Sequence, residues 1–401
     1  MTLMVLCGLA VTACGSPAAE DDGTETVVIG AAWPLSGPFA FNGNAVLDGA
    51  QAAVDDINEA GGIEALGGAH LELRVVDAGS SAAESVASAD RLVNDEDVVA
   101  VMGSWLSSLS LAASEVTERG RVPYISESFA DHMTDRPYFT HVFDYAPPSS
   151  QIADLLLDSV QPSLAEAGIE MDRVALIGDN TAAATPLIDG LEVALQERGI
   201  EVAIREQWTP PLQDPSGLVQ KVSSGKVDAV LLIAFSFNDV SSIVRQLQAR
   251  GIDVPVIQNG GQGIVPQWRE LGDEAQGLSS FVYTNPLPGS EELTDQMAEA
   301  TGVPYVWQDQ IGGYFAVSVV AAGLEDAGVA DREALNTALR NLDLREGAAV
   351  DLMPTDRIAF DDGGRITPAF GVLAQWQRVD GELIPCTIYP VEQAVCEPDW
   401  Q

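Results

Sequence analysis

Lysine is nearly missing from this chain. Of 401 residues only Lys221 and Lys226 are lysines, and 19 basic side chains face 60 acidic ones, for a formal net charge of −41. So negative a surface argues against nucleic acid as a partner, because phosphate binding runs on Lys and Arg. It argues equally against electrostatic adhesion to anionic lipid. It suits a salty habitat, where ions screen self-repulsion, and is also what an ordinary solvated acidic surface looks like. Histidine is almost as scarce, at His70, His132 and His141. There is no His-Glu-x-x-His, no P-loop lysine motif and no Gly-x-Ser-x-Gly elbow, so metal-assisted, phosphoryl and serine-nucleophile chemistry find no foothold. Gly260-Gly261-Gln262-Gly263 matches half of a dinucleotide loop and stops there. Neither catalysis nor a cofactor or metal is expected.

Long apolar runs are missing too. Leu3 to Leu6 and Leu9 to Val11 are apolar, but a bilayer span needs about 20 such residues. The segment continues Val11-Thr12-Ala13-Cys14-Gly15, which resembles a bacterial lipobox: a short apolar core, small residues before the cut, then a cysteine that becomes the lipidated N-terminus. No Lys or Arg precedes the core, so the true start is expected upstream of Met1. Residues 1–13 read as a signal peptide and 14–26 as a small, acidic tether. Cysteine is otherwise confined to Cys7 in the leader and to Cys386 and Cys396 near the C-terminus. In an exported protein the last two are expected to form a disulfide. A zinc pair is disfavoured, since such a site wants four ligands and no histidine lies near.

What the chain does have is a folded composition, 46% hydrophobic and 20% charged, long enough for two domains. Strand and helix patterns alternate throughout. Residues 71–77, 98–102, 122–126, 173–178, 229–234 and 254–258 read as strands. Residues 83–94, 108–119, 184–198 and 240–250 read as helices, several closed by glycine. This predicts α/β architecture, with mostly parallel sheets and helices on both faces. Two blocks of similar size suggest two lobes, with crossing segments near residues 144–149, 283–287 and 345–355.

Residues 28–63 are the most informative. Val28-Ile29-Gly30 leads into Trp33-Pro34-Leu35-Ser36-Gly37-Pro38, and then a helix pattern runs through Val46, Ala50, Val54 and Ile57 to Gly61-Gly62-Ile63. This resembles the opening of solute-binding proteins of branched-chain amino-acid-type ABC importers. The resemblance returns at Tyr305, at Gly313-Tyr314-Phe315-Ala316, where the family usually has Asp in place of Phe315, and at residues 358–364. It extends from about Val27 to Asp380. It implies a two-lobed type I periplasmic-binding-protein fold, with residues 27–144 and 284–348 in one lobe and 145–283 and 349–401 in the other. It implies a receptor that captures a small-molecule solute between closing lobes, with ABC permease subunits as partners. The receptor would stand outside the cytoplasm, held to the membrane by lipid on Cys14. A ligand sensor on the same fold is the alternative.

Ligands of such folds sit beyond the carboxyl ends of parallel strands. In the loop at residues 103–108, free amides and hydroxyls favour a carboxylate. Its Gly-x-x-x-Ser spacing is similar to the family's carboxylate loop, which points to Ser107; a cap for a helix beginning at Ser108 is the bland reading. The next loop offers Ser128, Phe129 and Ala130, where the family contacts an α-carboxylate and α-amine. Phe41 and Asn42 occupy the first loop, and Trp105, Phe237 and Tyr283 are further aromatic candidates. After the 254–258 strand the family often places an acid for the ligand ammonium. Here stand Asn259, Gly260, Gly261 and Gln262. A buried ammonium without a counter-charge is costly. Either another acid serves, such as Asp239, or the solute is an amide, urea-like compound or carboxylic acid without an α-amine.

Overall fold

The computed structural model describes residues 25–181 and 184–400. Cys14 and the leader lie outside them. The chain opens with β1 (Thr26–Ala32), α1 (Ala40–Glu59), β2 (His70–Val75), α2 (Ala82–Val93), β3 (Val98–Gly103), α3 (Ser107–Gly120), β4 (Tyr124–Ser126) and β5 (Val142–Asp144). These strands form one five-stranded parallel sheet in the order β2-β1-β3-β4-β5. A second unit follows: α4 (Ser149–Glu166), β6 (Arg173–Asp179), α5 (Ala184–Glu197), β7 (Glu201–Trp208), α6 (Ser216–Gly225), β8 (Ala229–Ile233), α7 (Phe237–Ala249), β9 (Val256–Asn259) and β10 (Ser279–Val282). Its parallel strands run β7-β6-β8-β9-β10, the same winding as the first. Each sheet therefore has a point where the order reverses, between β1 and β3 and between β6 and β8. Such points open a crevice at the carboxyl ends of the strands.

The chain then returns to the first lobe with α8 (Glu291–Thr301), α9 (Gln308–Ala327), α10 (Arg332–Arg340), β11 (Asp343–Leu344), α11 (Ala348–Asp351), β12 (Ile358–Phe360) and β13 (Ile366–Thr367). It ends in the second, where β14 (Val372–Val379) and β15 (Glu382–Tyr389) pair antiparallel and extend the sheet to seven strands. The chain leaves the first sheet after β5 and the second after β10. A third crossing at residues 345–355 is not what the core shows. Leu352, Met353, Ile358, Phe360, Ile366 and Phe370 pack in the core built on β1, α1 and α9, so the chain changes lobe between β13 and β14 rather than at residues 345–355. The short antiparallel strands β11 to β13 give no helical or parallel-strand pattern to announce this.

Why α9 takes its place is clear from its residues. From Gln308 to Val317 every residue is buried, and from Ile311 onward this stretch is apolar on every face, as a fully enclosed helix should be. It crosses α1 backbone to backbone: a Cβ on Gly313 would lie 1.9 Å from Val46 O, and one on Gly49 would lie 2.0 Å from Gln310 O. Two glycines are thus the condition for the contact. Phe315, where the family usually has Asp, is fully buried and packs on Tyr145 with ring centroids 5.2 Å apart. Cys386 and Cys396 form a disulfide with Cα atoms 5.9 Å apart, joining β15 to the C-terminal tail.

Candidate functional site

The loops at the carboxyl ends of β3 and β4 are tied to each other. α3 begins at Ser107 itself, with Leu106 at the N-cap and no side-chain cap. Ser107 is therefore not the cap of a helix starting at Ser108. Its hydroxyl instead accepts from Phe129 N–H at 3.2 Å, and Ser128 Oγ accepts from Ala130 N–H at 3.3 Å. Both are at the long end of hydrogen bonding. A carboxylate placed here would take these amide donors, the hydroxyl hydrogens and the first-turn amides of α3.

The 128–130 loop is held from behind by Arg365. Its Nη1 donates to Ser128 O at 2.7 Å and to Ala146 O at 3.0 Å, and its Nη2 donates to Ala130 O at 2.8 Å. The same guanidinium pairs with Asp144 at 3.1 Å, both side chains being buried. Asp144 Oδ1 in turn accepts from the amides of Ser128 and Ala146, each at 3.1 Å. Burial pushes the Asp144 carboxyl up to about 6, against the pull of Arg365. The second lobe clasps the loop too: Ser149, at the start of α4, donates to Phe129 O through its amide and its hydroxyl. The Phe129 ring packs against the cores of both lobes and lies 6.2 Å from the Tyr283 ring.

A second assembly centres on Asp309, in the first turn of α9. Its carboxylate accepts from Asn42 Nδ2 at 2.7 Å, Trp105 Nε1 at 3.2 Å and Trp307 Nε1 at 3.1 Å. Phe41 stacks on Trp307 at 5.7 Å, and Phe39 leans on Trp105 at 5.9 Å. One buried acid thus fixes an aromatic wall drawn from three separate segments. Between the two assemblies lies Glu127, only 3% exposed. Its Oε2 meets Tyr145 Oη at 3.4 Å. Burial first, and then the charges of Asp309 and Asp144, push this carboxyl well above its ordinary value. Tyr145 and Tyr283 begin the first two crossings, and Tyr283 Oη donates to Gln308 O at 2.8 Å.

The second lobe contributes Asn259 and Gln262 at the end of β9. Asn259 Nδ2 donates to Phe281 O at 3.1 Å, and Gln262 accepts from Trp268 Nε1 through its carbonyl. Gln308 of the first lobe closes on this loop, since a Cβ on Gly261 would lie 2.7 Å from its Nε2. Phe237 turns into its own lobe and meets Trp268 edge-on at 5.2 Å. Asp239 is occupied by Trp208 Nε1 at 2.9 Å and Leu212 N–H at 3.1 Å, so it holds the segment after β7. A groove of about 680 Å³ lined by Val244, Asp253, Asp273, Arg378 and Trp400 opens at the opposite, amino ends of β9 and β10 and contains none of these groups.

The structure therefore brings Ser107, Ser128, Phe129, Ala130, Trp105, Asn42, Phe41 and Tyr283 together around the first lobe's strand ends. Asn259 and Gln262 lie in the second-lobe loop that Gln308 touches, with Asn259 Nδ2 bonded to Phe281 O of its own lobe, while Phe237 packs away. Sequence reasoning missed Glu127, Asp144, Asp309 and Arg365. For Glu127 a signal existed: alternation along Ile125-Ser126-Glu127 puts its side chain on the buried face of Ile125, where a carboxylate needs a reason.

A family model described as "Periplasmic binding protein" matches residues 26–377. The chain belongs to the periplasmic binding protein family. BraC3 of Rhizobium johnstonii, a Leu/Ile/Val-binding protein, is 29% identical over 385 residues, covering 94% of this chain and 98% of that one. Leu/Ile/Val-binding protein homolog 7 of Brucella abortus is 26% identical over 409 residues, covering 98% of both. Among solved structures, the branched-chain amino acid transporter substrate-binding protein LivJ of Streptococcus pneumoniae, in complex with isoleucine, superposes with a TM-score of 0.73 at 21% identity, covering 90% of this chain and 98% of LivJ. The fold is thus the two-lobed type I periplasmic-binding-protein architecture. The family is one of solute receptors of ABC transporters rather than of enzymes, and it works outside the cytoplasm with permease subunits.

Proposed function

We propose that this periplasmic binding protein is the receptor of an ABC importer for an apolar amino acid, and that lipid on Cys14 tethers it to the membrane. The observation that carries the reading is the joined pair of loops at 103–108 and 128–130. Their amides and the hydroxyls of Ser107 and Ser128 converge beyond the carboxyl ends of β3 and β4, where a solute carboxylate would find donors. Trp105, Phe129 and Tyr283 stand beside them to cover an apolar side chain. The names of the relatives and the isoleucine in LivJ point to the same solute class. Capture would close the lobes about the crossing segments, and the closed form is what a permease would recognise.

One observation favours a second reading. The loop after β9 offers Asn259 and Gln262 and no acid, which suits an amide or an amine-free carboxylic acid. A thermal-shift screen of the protein without residues 1–14 separates the two. Solute at 100-fold over its Kd should add about 2.7 kcal/mol of stability. A shift with leucine or isoleucine supports the first reading, and a shift confined to amine-free solutes supports the second. No shift with amino acids, amides, ureas or carboxylic acids defeats both.

A further inference from the structure

Among the described residues five carboxyls are buried: Glu127, Asp144, Asp179, Asp239 and Asp309. Four have the partners a buried acid requires. Asp144 has Arg365 and two amides. Asp179 accepts from the amides of Thr181 and Phe235, both at 3.0 Å. Asp239 and Asp309 accept the indole, amide and carboxamide N–H groups given above. Glu127 has no cation and no N–H donor, only the hydroxyl of Tyr145 at 3.4 Å, since Tyr283 donates its proton to Gln308 O. Burying an ionised group without a partner is strongly unfavourable, and Asp309 and Asp144 on either side make it worse.

The backbone comes close beside it. Gly312, early in α9, faces Glu127: a Cβ there would lie 2.3 Å from Tyr283 Oη, 3.2 Å from Tyr145 Oη and 3.3 Å from Glu127 Oε2. Two phenols and a bare glycine therefore enclose the carboxyl. Glu127 adjoins Ser128, whose loop offers donors for a carboxylate. The acid that the second lobe lacks after β9 has its counterpart here, in the first lobe.

We propose that Glu127 is the counter-charge for the ammonium of the solute, so that the first lobe alone holds both ends of a zwitterion. The assignment rests on the receptor reading above and names the group that selects for an amine within it. The second lobe, whose loop after β9 carries the neutral Asn259 and Gln262, then closes over a solute already captured and contributes hydrogen bonds without charge.

The test uses titration calorimetry of the tetherless protein with leucine and with 4-methylpentanoate, which is leucine without its amine. The parent should bind leucine and discriminate against 4-methylpentanoate. Glu127→Gln keeps the shape and can still meet both phenols, but it should weaken leucine by about 100-fold, the scale for removing one partner of a buried charge pair. It should leave 4-methylpentanoate unchanged or improved. The solute-free thermal midpoint of Glu127→Gln should not fall, which a purely structural acid would not allow. Gly312→Ala, which presses a methyl onto Tyr283 Oη and toward Glu127, should lower leucine affinity in the same selective way, and it carries the test if Glu127→Gln does not fold. Glu127→Gln binding leucine within about threefold of the parent overturns the assignment. So does a parent that binds only amine-free solutes, although the receptor reading then survives. A parent that binds nothing in the wider panel defeats the receptor reading itself.

Discussion

Arg365→Met is the most revealing single change in this protein. The substitution keeps an unbranched stem of similar reach and removes the guanidinium, whose side chain is 6% exposed. Four hydrogen bonds vanish with it: those to Ser128 O, Ala146 O and Ala130 O, and the 3.1 Å bond to Thr134 Oγ1. Asp144 also loses its cation. Breaking a buried pair from one side costs about 3–5 kcal/mol, and orphaned carbonyls cost about 1–3 kcal/mol each where water cannot reach them. The sum has a ceiling, because the Asp144 carboxyl already sits at about 6 and will take up a proton once Arg365 is gone. A loss of about 4 kcal/mol is the expected net. The double variant with Asp144→Asn should cost little beyond Arg365→Met alone, since the acid is neutral in both. Arg365→Lys should restore the charge but not the fork that reaches three carbonyls, and should fall between. Urea unfolding followed by tryptophan fluorescence gives the stabilities, and calorimetry gives solute affinity, which should drop at least about tenfold as the 128–130 loop loses its preset shape. A loss under about 1 kcal/mol with unchanged affinity would refute the claim that Arg365 shapes this loop.

Three other outcomes follow from packing and charge. Gly313→Ala drives a methyl into Val46 O, and the forced separation of α1 and α9 should cost about 3 kcal/mol in the same urea assay; a neutral result would mean the helices part freely. Reducing the Cys386–Cys396 bond, which spans a separation of 10 residues, should lower stability by up to about 3 kcal/mol on loop entropy, read as a drop in thermal midpoint with reductant that Cys386→Ser abolishes. Thermal stability should peak in acid, at roughly pH 4 to 4.5, for two opposed reasons. Asp144 is raised from 3.8 to about 6, so its contribution is whole below about 4 and is lost as pH rises through 6. Burial raises Glu118 too, but hydrogen bonds from His141 and Thr140 outweigh it and hold it at about 2, so its contribution is present above 4.5 and is lost as pH falls toward 2. Glu118 is partly hydrated, so screening reduces its share to about 1–2 kcal/mol. Asp144→Asn should flatten the limb between pH 4 and 6, and an unaltered profile would count against the buried pair as its source.

Much of the fold can be read from local pattern. The continuous apolar run of β8 and the glycine-closed helices α3, α5 and α7 follow from burial on both faces and from helix-stop chemistry, which are properties of neighbouring residues. The elements that were not legible fail for particular reasons. α4 carries Pro162 in its interior, which reads as a break. β7 is an edge strand with a half-exposed pattern, so it lacks the apolar run of its neighbours. β12 and β13 are three and two residues long, too short for any periodicity, and they alone decide which lobe residues 352–370 join.

The site divides along the same line. Ser107, Ser128 and Trp105 could be proposed because they sit in loops after strands, and a loop after a strand is visible in one dimension. Glu127, Asp144, Asp309 and Arg365 could not, because what makes each of them matter is a partner far away in sequence. Arg365 is 237 residues from Ser128, and Asp309 is 267 from Asn42. The sequence shows sixty acids and no means of telling which one lacks a partner. Only when the four carboxyls that have N–H or cationic partners are set aside does Glu127 stand out. The absence of an acid after β9 then changes its meaning: Asn259 and Gln262 need not signal a solute without an amine, because the charge that would meet one has a place on the other lobe.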